Sequence, residues 1–154
     1  MKLSLTKNYL TLIENAVKGE NWMFRNLYAE IDGKEIDILK DGGLSCAFFV
    51  SSILYLSKMI TDLHANVKST EKDMIKFGWK EAKEPRPGAV LVWEKKVSSG
   101  DGQEHYHIGF YMGNDMAVSN SSRDTGFIAK HHYTYNGTRK IEKIYWHPSL
   151  EEKS

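Results

Sequence analysis

The chain has 154 residues, and its 21 Lys and Arg against 20 Asp and Glu give a net charge of +1. That length suits one domain with a sizeable core, and the balanced charge predicts no nucleic acid or membrane partner. The single cysteine excludes an internal disulfide and any multi-cysteine metal site. The N-terminal residues lack the apolar core of a signal peptide, which predicts a cytoplasmic protein or one exported by a non-standard route.

Three helices are predicted in the first half of the chain. Apolar spacing predicts the first over Leu5–Val17, and Gly19 ends it. The second begins after Ser45, a residue type that is favoured as an N-cap, and runs to about Ile60. A short third helix is predicted over Glu71–Phe77.

The other predicted elements are strands joined by turns. Residues 24–39 predict a hairpin with Asp32-Gly33 at its turn. The polar loop 95–104 is predicted to be exposed, and we expect it to gate a cleft. Helices followed by antiparallel strands predict a single α+β domain over 1–154. The later strands are predicted at 89–94, 107–112, 116–120, 127–130 and 140–146.

Cys46 lies in the first turn of the second predicted helix, and His107 begins a later strand. A thiol in that turn faces free backbone N–H groups and the positive end of the helix dipole, which predicts a low pKa for Cys46. A thiol nucleophile and a histidine base need these two groups. We therefore predict Cys46 as the nucleophile and His107 as its general base. The alternative is a buried structural cysteine and an incidental histidine.

A third catalytic residue is predicted from the hairpin that follows His107. If Met112 pairs with Asp115, Asn120 lies directly across from His107, within reach of a side-chain hydrogen bond. Asn120 would then accept the imidazole N–H and fix the tautomer, leaving the other nitrogen for the thiol. We predict Asn120 in this role.

Other polar residues remain open as alternatives or as substrate contacts. A register shifted by one residue would put Ser119 opposite the histidine, and His131 or His132 could also orient it. The residues that we predict to bind substrate are Ser45, Tyr106, Ser119 and His131.

A metal site is the competing interpretation of the histidines. His105 and His107 would share a strand face, with Cys46 as a third ligand. Neither an acidic cluster nor a helical histidine pair accompanies them. We therefore predict that the site holds no metal and that no cofactor is needed.

Three short segments resemble the papain-like NlpC and CHAP cysteine peptidases and amidases. They are Cys46-Ala47-Phe48-Phe49-Val50, the strand entry Pro87-Gly88-Ala89, and the histidine strand 107–113. The resemblance implies a papain-like fold with N-terminal helices packed on an antiparallel sheet. It also implies cleavage of peptidoglycan peptides or a related amide by the cysteine and histidine.

Two other functions remain open from the sequence. One is a cytoplasmic amidase or deconjugating peptidase that acts on a non-wall substrate. The other is a non-catalytic binding domain that retains the fold. The partner expected for an enzyme of this kind is a peptide or a peptidoglycan-derived substrate.

Overall fold

The structure, a computed structural model, describes residues 1–98 and 101–151. Its helices are α1 (Leu5–Ala16), α2 (Cys46–Leu56) and α3 (Val67–Phe77), and they precede most of the strands. Helix α3 begins four residues before its predicted start because the Asn66 side chain accepts a hydrogen bond from Ser69 N and caps the helix. The predicted α+β class is confirmed. In the described part of the chain, no helix is long and apolar enough to cross a membrane.

The predicted hairpin is confirmed. Strands β1 (Tyr28–Ile31) and β2 (Lys34–Asp37) pair antiparallel in a sheet of their own. Asp32 and Gly33 join them, with φ of 51° and 76°. Two left-handed residues in a two-residue loop match the right-handed twist of paired strands, which is why Asp-Gly is favoured there.

A six-stranded antiparallel sheet carries the second half of the chain. Its order is β3-β8-β4-β5-β6-β7. The prediction that 95–97 belong to a loop is wrong, because β4 continues through them beside β5. Residues 99 and 100 of the predicted gating loop lie outside the described residues. The strands are β3 (Lys80–Glu81), β4 (Val90–Val97), β5 (Glu104–Gly113), β6 (Met116–Asn120), β7 (Ile128–His132) and β8 (Ile141–Trp146).

Strand β5 is buried on both faces, as its sequence predicts. Ile108 and Phe110 belong to the main core beneath the helices, and Phe110 packs edge-on against Phe49 of α2 at 5.5 Å between ring centroids. Alternate residues point to the other face, where Tyr111 joins a second apolar cluster with Trp93. The start of α2 and the middle of β5 are thereby held together by packing.

Candidate active site

The start of α2 is set by a turn of unusual backbone conformation. Lys40, Asp41 and Gly42 all have positive φ, so the chain reverses immediately before the helix. Ser45 occupies the N-cap position, but its hydroxyl makes no capping hydrogen bond. The hydroxyl lies 3.4 Å from the Arg25 carbonyl oxygen instead, and the residue is fully buried. Ser45 itself does not line the cavity described below, although its neighbours Leu44 and Cys46 do.

One cavity brings the predicted nucleophile and base together. It has a volume of about 410 Å³, and its wall includes Cys46, Tyr106 and His107. Cys46 comes from the first turn of α2, while the other two come from β5. A cavity of this size accommodates a small molecule or a few residues of a peptide.

The environment of the Cys46 thiol does not favour the thiolate. Burial raises its pKa above the ordinary value, although the backbone N–H groups of Ile108 and Ala47 and the charge of Arg139 oppose that shift. Desolvation of a charge exceeds the effect of these donors. The predicted low pKa is therefore wrong, because the sequence reveals the helix start but not the depth of burial.

His107 is buried, with 6% of its surface exposed, whereas Cys46 is partly exposed. Its pKa lies well below the ordinary value because of its burial, with smaller contributions from the charges of Arg139 and His131. Its Nε2 lies 2.9 Å from Ser119 Oγ. Its Nδ1 has no hydrogen-bond partner within the described ranges. The imidazole is therefore neutral at pH 7, with one nitrogen held and the other available.

A chain of hydrogen bonds fixes which nitrogen of His107 carries the proton. His131 Nδ1 lies 2.8 Å from the His132 carbonyl oxygen, which can only accept, so this nitrogen carries a proton. His131 Nε2 then accepts from the Ser119 hydroxyl, at 2.7 Å. Ser119 Oγ in turn accepts from His107 Nε2–H. The network assigns the free Nδ1 of His107 as the unprotonated, basic nitrogen.

The predicted register of the β5–β6 hairpin is wrong by one residue. Gly113 pairs with Met116, and Tyr111 pairs with Ala117. The two-residue loop is therefore Asn114-Asp115, whose φ angles of 52° and 60° suit a tight hairpin turn. Continued along the strands, this register places Ser119 opposite Gly109, and the Ser119 hydroxyl reaches the His107 imidazole diagonally. The shift is opposite in direction to the one that would have put Ser119 directly across from His107, so neither predicted pairing is correct.

Asn120 consequently serves a different purpose from the one predicted. Its Nδ2 donates to the Gly42 carbonyl oxygen at 2.7 Å and to Ser122 Oγ at 2.8 Å. It therefore connects the end of β6 to the turn that precedes Cys46. This is a structural contact, and the structure does not place the Asn120 amide on the histidine.

The sequence did not identify the aromatic residues that enclose the relay. Tyr135 stacks on His131 at 4.2 Å between ring centroids, and its hydroxyl lies 3.2 Å from Ser119 Oγ. Trp93 is fully buried and lies 5.2 Å from the His107 ring. These rings pack against His107 and His131, which helps to keep the hydrogen-bonded side chains in place.

Gly109 is required where the two strands approach. A Cβ atom at this position would lie 2.7 Å from both Ser119 Cβ and Val118 O. A side chain would therefore push Ser119 away from His107. Glycine within a predicted strand is a recognised sign of such close approach, so this residue could have been found from the sequence.

Arg139 is a second residue that the sequence did not single out. Its Nε and Nη2 donate to the Glu94 carbonyl oxygen at 3.1 and 2.9 Å, and Nη2 also reaches the His105 carbonyl oxygen at 3.3 Å. These contacts fix its guanidinium at the cavity wall. Its charge lowers the pKa of both Cys46 and His107.

The remaining histidines do not converge on a metal site. His105 Nε2 lies 2.7 Å from Asp101 Oδ2, whereas His107 is buried against Ser119. Over residues 1–98 and 101–151, no group of three or more His, Cys, Asp or Glu is arranged to hold a metal ion. Tyr106, predicted to bind substrate, does line the cavity.

The chain matches no protein-family model, and a search of curated proteins finds no significant relative. The case for a function therefore depends on the geometry around Cys46, His107 and Ser119. The resemblance of short segments adds to that geometry.

Proposed function

We propose that the protein is a thiol-dependent amide hydrolase of the papain-like NlpC/CHAP type, with Cys46 as nucleophile and His107 as base. One observation carries the proposal: both residues line the same cavity, and the hydrogen-bond relay leaves Nδ1 of His107 unprotonated. The packing of α2 on an antiparallel sheet also agrees with what the segment resemblance implies for the fold.

The proposed first step transfers a proton during nucleophilic attack. Because the resting thiol is protonated and the imidazole neutral, His107 Nδ1 takes the thiol proton as Cys46 Sγ attacks the amide carbonyl carbon. The resulting imidazolium keeps its Nε2–H on Ser119. The backbone N–H of Cys46, at the start of α2, is suited to stabilise the negative charge on the carbonyl oxygen.

The second half of the reaction regenerates the thiol. The imidazolium gives its proton to the leaving amine as the C–N bond breaks, which leaves a thioester on Cys46. His107 then removes a proton from water, the resulting hydroxide attacks the thioester carbonyl, and the thiolate leaves. The proton returns to Cys46, and the carboxylic acid product departs.

Ser119 and His131 are positioning residues in this scheme, since they act through His107. His131 was predicted to contact substrate, but it supports the relay behind the imidazole. Neither side chain needs to touch the substrate. Their contribution is to hold the basic nitrogen towards the cavity and to stabilise the imidazolium when it forms.

Peptidoglycan peptides are the substrate that the resemblance favours, and a non-wall amide is the alternative. The test is to incubate the protein with purified peptidoglycan and, separately, with soluble peptides. Mass spectrometry would then identify new amine and carboxyl ends. We expect products with the wild type and with Ser57→Ala, a serine outside the cavity, and none with Cys46→Ala. Hydrolysis that persists in Cys46→Ala would contradict the proposal.

A non-catalytic binding domain is the second candidate. The raised pKa of Cys46 and the lowered pKa of His107 favour it, because the resting pair carries no charge. Binding of these peptides with no product from any of them would support this candidate against the hydrolase.

A further inference from the structure

Positive charge is concentrated around the cavity that holds Cys46. The whole chain has a net charge of only +1. Nevertheless, five cationic side chains and one carboxylate, Glu104, line this cavity. The cations are Lys68, Lys95, Lys96, Arg123 and Arg139.

These cations are not neutralised within the described part of the chain. None of the five forms an ion pair with a carboxylate there. Lys96 Nζ donates to the Thr138 carbonyl oxygen at 2.8 Å, and Arg139 also donates to carbonyl oxygens. Carbonyl groups orient a cation without forming an ion pair, and only Arg139 has a carboxylate, that of Glu94, close enough to raise the pKa of its guanidinium. The cavity wall therefore favours an anion.

A smaller cavity of about 130 Å³ adjoins the first beside the imidazole. Lys96, Arg123 and Arg139 line both cavities, and so does His107. A group bound between these three cations would therefore lie close to the base. The position suits a charged group of the substrate next to the bond that is cleaved.

We propose that the site accepts an amide substrate that carries a carboxylate near the scissile bond, held by Lys96, Arg123 and Arg139. This inference rests on the proposed function for the cleavage itself, but the anion site can be tested through the thiol alone. Arg139 presents its charge in a fixed orientation. Lys96 and Arg123 add charge from β4 and from the segment after β6.

Two alkylating reagents of nearly the same size test the anion site. Iodoacetate brings a carboxylate to the thiol, whereas iodoacetamide brings a neutral amide. Alkylation rates of Cys46 would be measured by intact mass and divided by those of N-acetylcysteine. An ion pair between two unit charges 4 Å apart in water would make alkylation by iodoacetate about fivefold faster relative to iodoacetamide. We expect the wild-type protein to prefer iodoacetate at least about fivefold and to lose this preference in high salt.

Matched variants separate a local site from a general charge effect. Arg123→Gln should lower the preference for iodoacetate severalfold. Lys34→Gln removes the same charge from the exposed hairpin and should leave this preference unchanged.

The second measurement compares the hydrolysis of two peptides that differ only in having a carboxylate or a carboxamide beside the cleaved bond. We expect a higher kcat/KM for the carboxylate peptide.

The possible outcomes distinguish this inference from the proposed function. Equal reaction with both reagents, or the same preference in the wild type and Arg123→Gln, would overturn the anion site. A carboxylate preference that depends on Arg123, with no hydrolysis of any amide, would support the anion site and overturn the hydrolase. Equal hydrolysis of the two peptides would overturn the proposed substrate class.

Discussion

Replacement of Ser119 by alanine tests the relay most selectively. The serine hydroxyl makes three hydrogen bonds, to His107 Nε2 at 2.9 Å, to His131 Nε2 at 2.7 Å and to the Tyr135 hydroxyl at 3.2 Å. Alanine fits the same space but leaves both histidine nitrogens without this partner. The change therefore removes the relay without adding bulk beside the imidazole.

The magnitude follows from the groups that lose their partners. Each buried polar group left unsatisfied costs about 1–3 kcal/mol, so two of them lower the free energy of unfolding by about 2–6 kcal/mol. A hydrogen bond to a charged group contributes about 1.5–3 kcal/mol. Loss of this bond from the imidazolium should slow proton transfer by about 10-fold to 150-fold.

Three measurements would check this prediction: urea unfolding, the rate of Cys46 alkylation by iodoacetamide at pH 7, and the His107 tautomer by NMR. Ser57→Ala is the matched control, because its buried Oγ has no hydrogen-bond partner among the described residues. The control should retain wild-type stability and reactivity. If Ser119→Ala also retains both, together with the wild-type tautomer, the relay does not position His107.

Three other predictions concern the support of the site. Asn120→Ala should lower the free energy of unfolding, measured in urea, by about 1–3 kcal/mol because the Gly42 carbonyl loses its hydrogen-bond donor. The His107 tautomer should stay as in the wild type, and a changed tautomer would contradict the role assigned to Asn120. Gly109→Ala should cost about 1–3 kcal/mol through overpacking and lower the melting temperature; an unchanged melting temperature would refute the close approach. Burial lowers the pKa of His107 and His131 in the folded protein, so both imidazoles stay neutral there while those of the unfolded chain gain a proton below about pH 6.5. The free energy of unfolding therefore decreases as the pH falls below this value. Urea unfolding should therefore show stability falling from pH 6.5 towards 5, and His107→Gln should reduce this slope; a constant stability over this range would contradict it.

The sequence predicted where Cys46 and His107 lie in the fold, because the position of each depends on local signals. The glycines and serine before Cys46 indicate the helix start, although the Ser45 hydroxyl does not cap it, and apolar alternation indicates the strand at His107. Gly113-Asn114 and Asn114-Asp115 both fit a two-residue turn. Local preference therefore could not decide the register, and the diagonal contact of Ser119 with His107 follows from neither pairing that the sequence offered.

Long-range packing determines the features that the sequence did not provide. Tyr135 and Arg139 come from the segment between β7 and β8, and they reach the site only because that segment folds back over β4 and β5. The pKa of Cys46 depends on how far the thiol is removed from water, which no local pattern encodes.

The most direct test of the proposed base is the pH dependence of Cys46 alkylation by iodoacetamide in the wild type and in His107→Gln. Cys46 is the only cysteine, so the modified site is unambiguous. If His107 accepts the thiol proton, the wild type should react between pH 6 and 8 at least about tenfold faster than His107→Gln. At a pH high enough for the thiolate to form without assistance, the two rates should converge. Identical profiles, with both proteins folded, would contradict the assignment of His107 as the base.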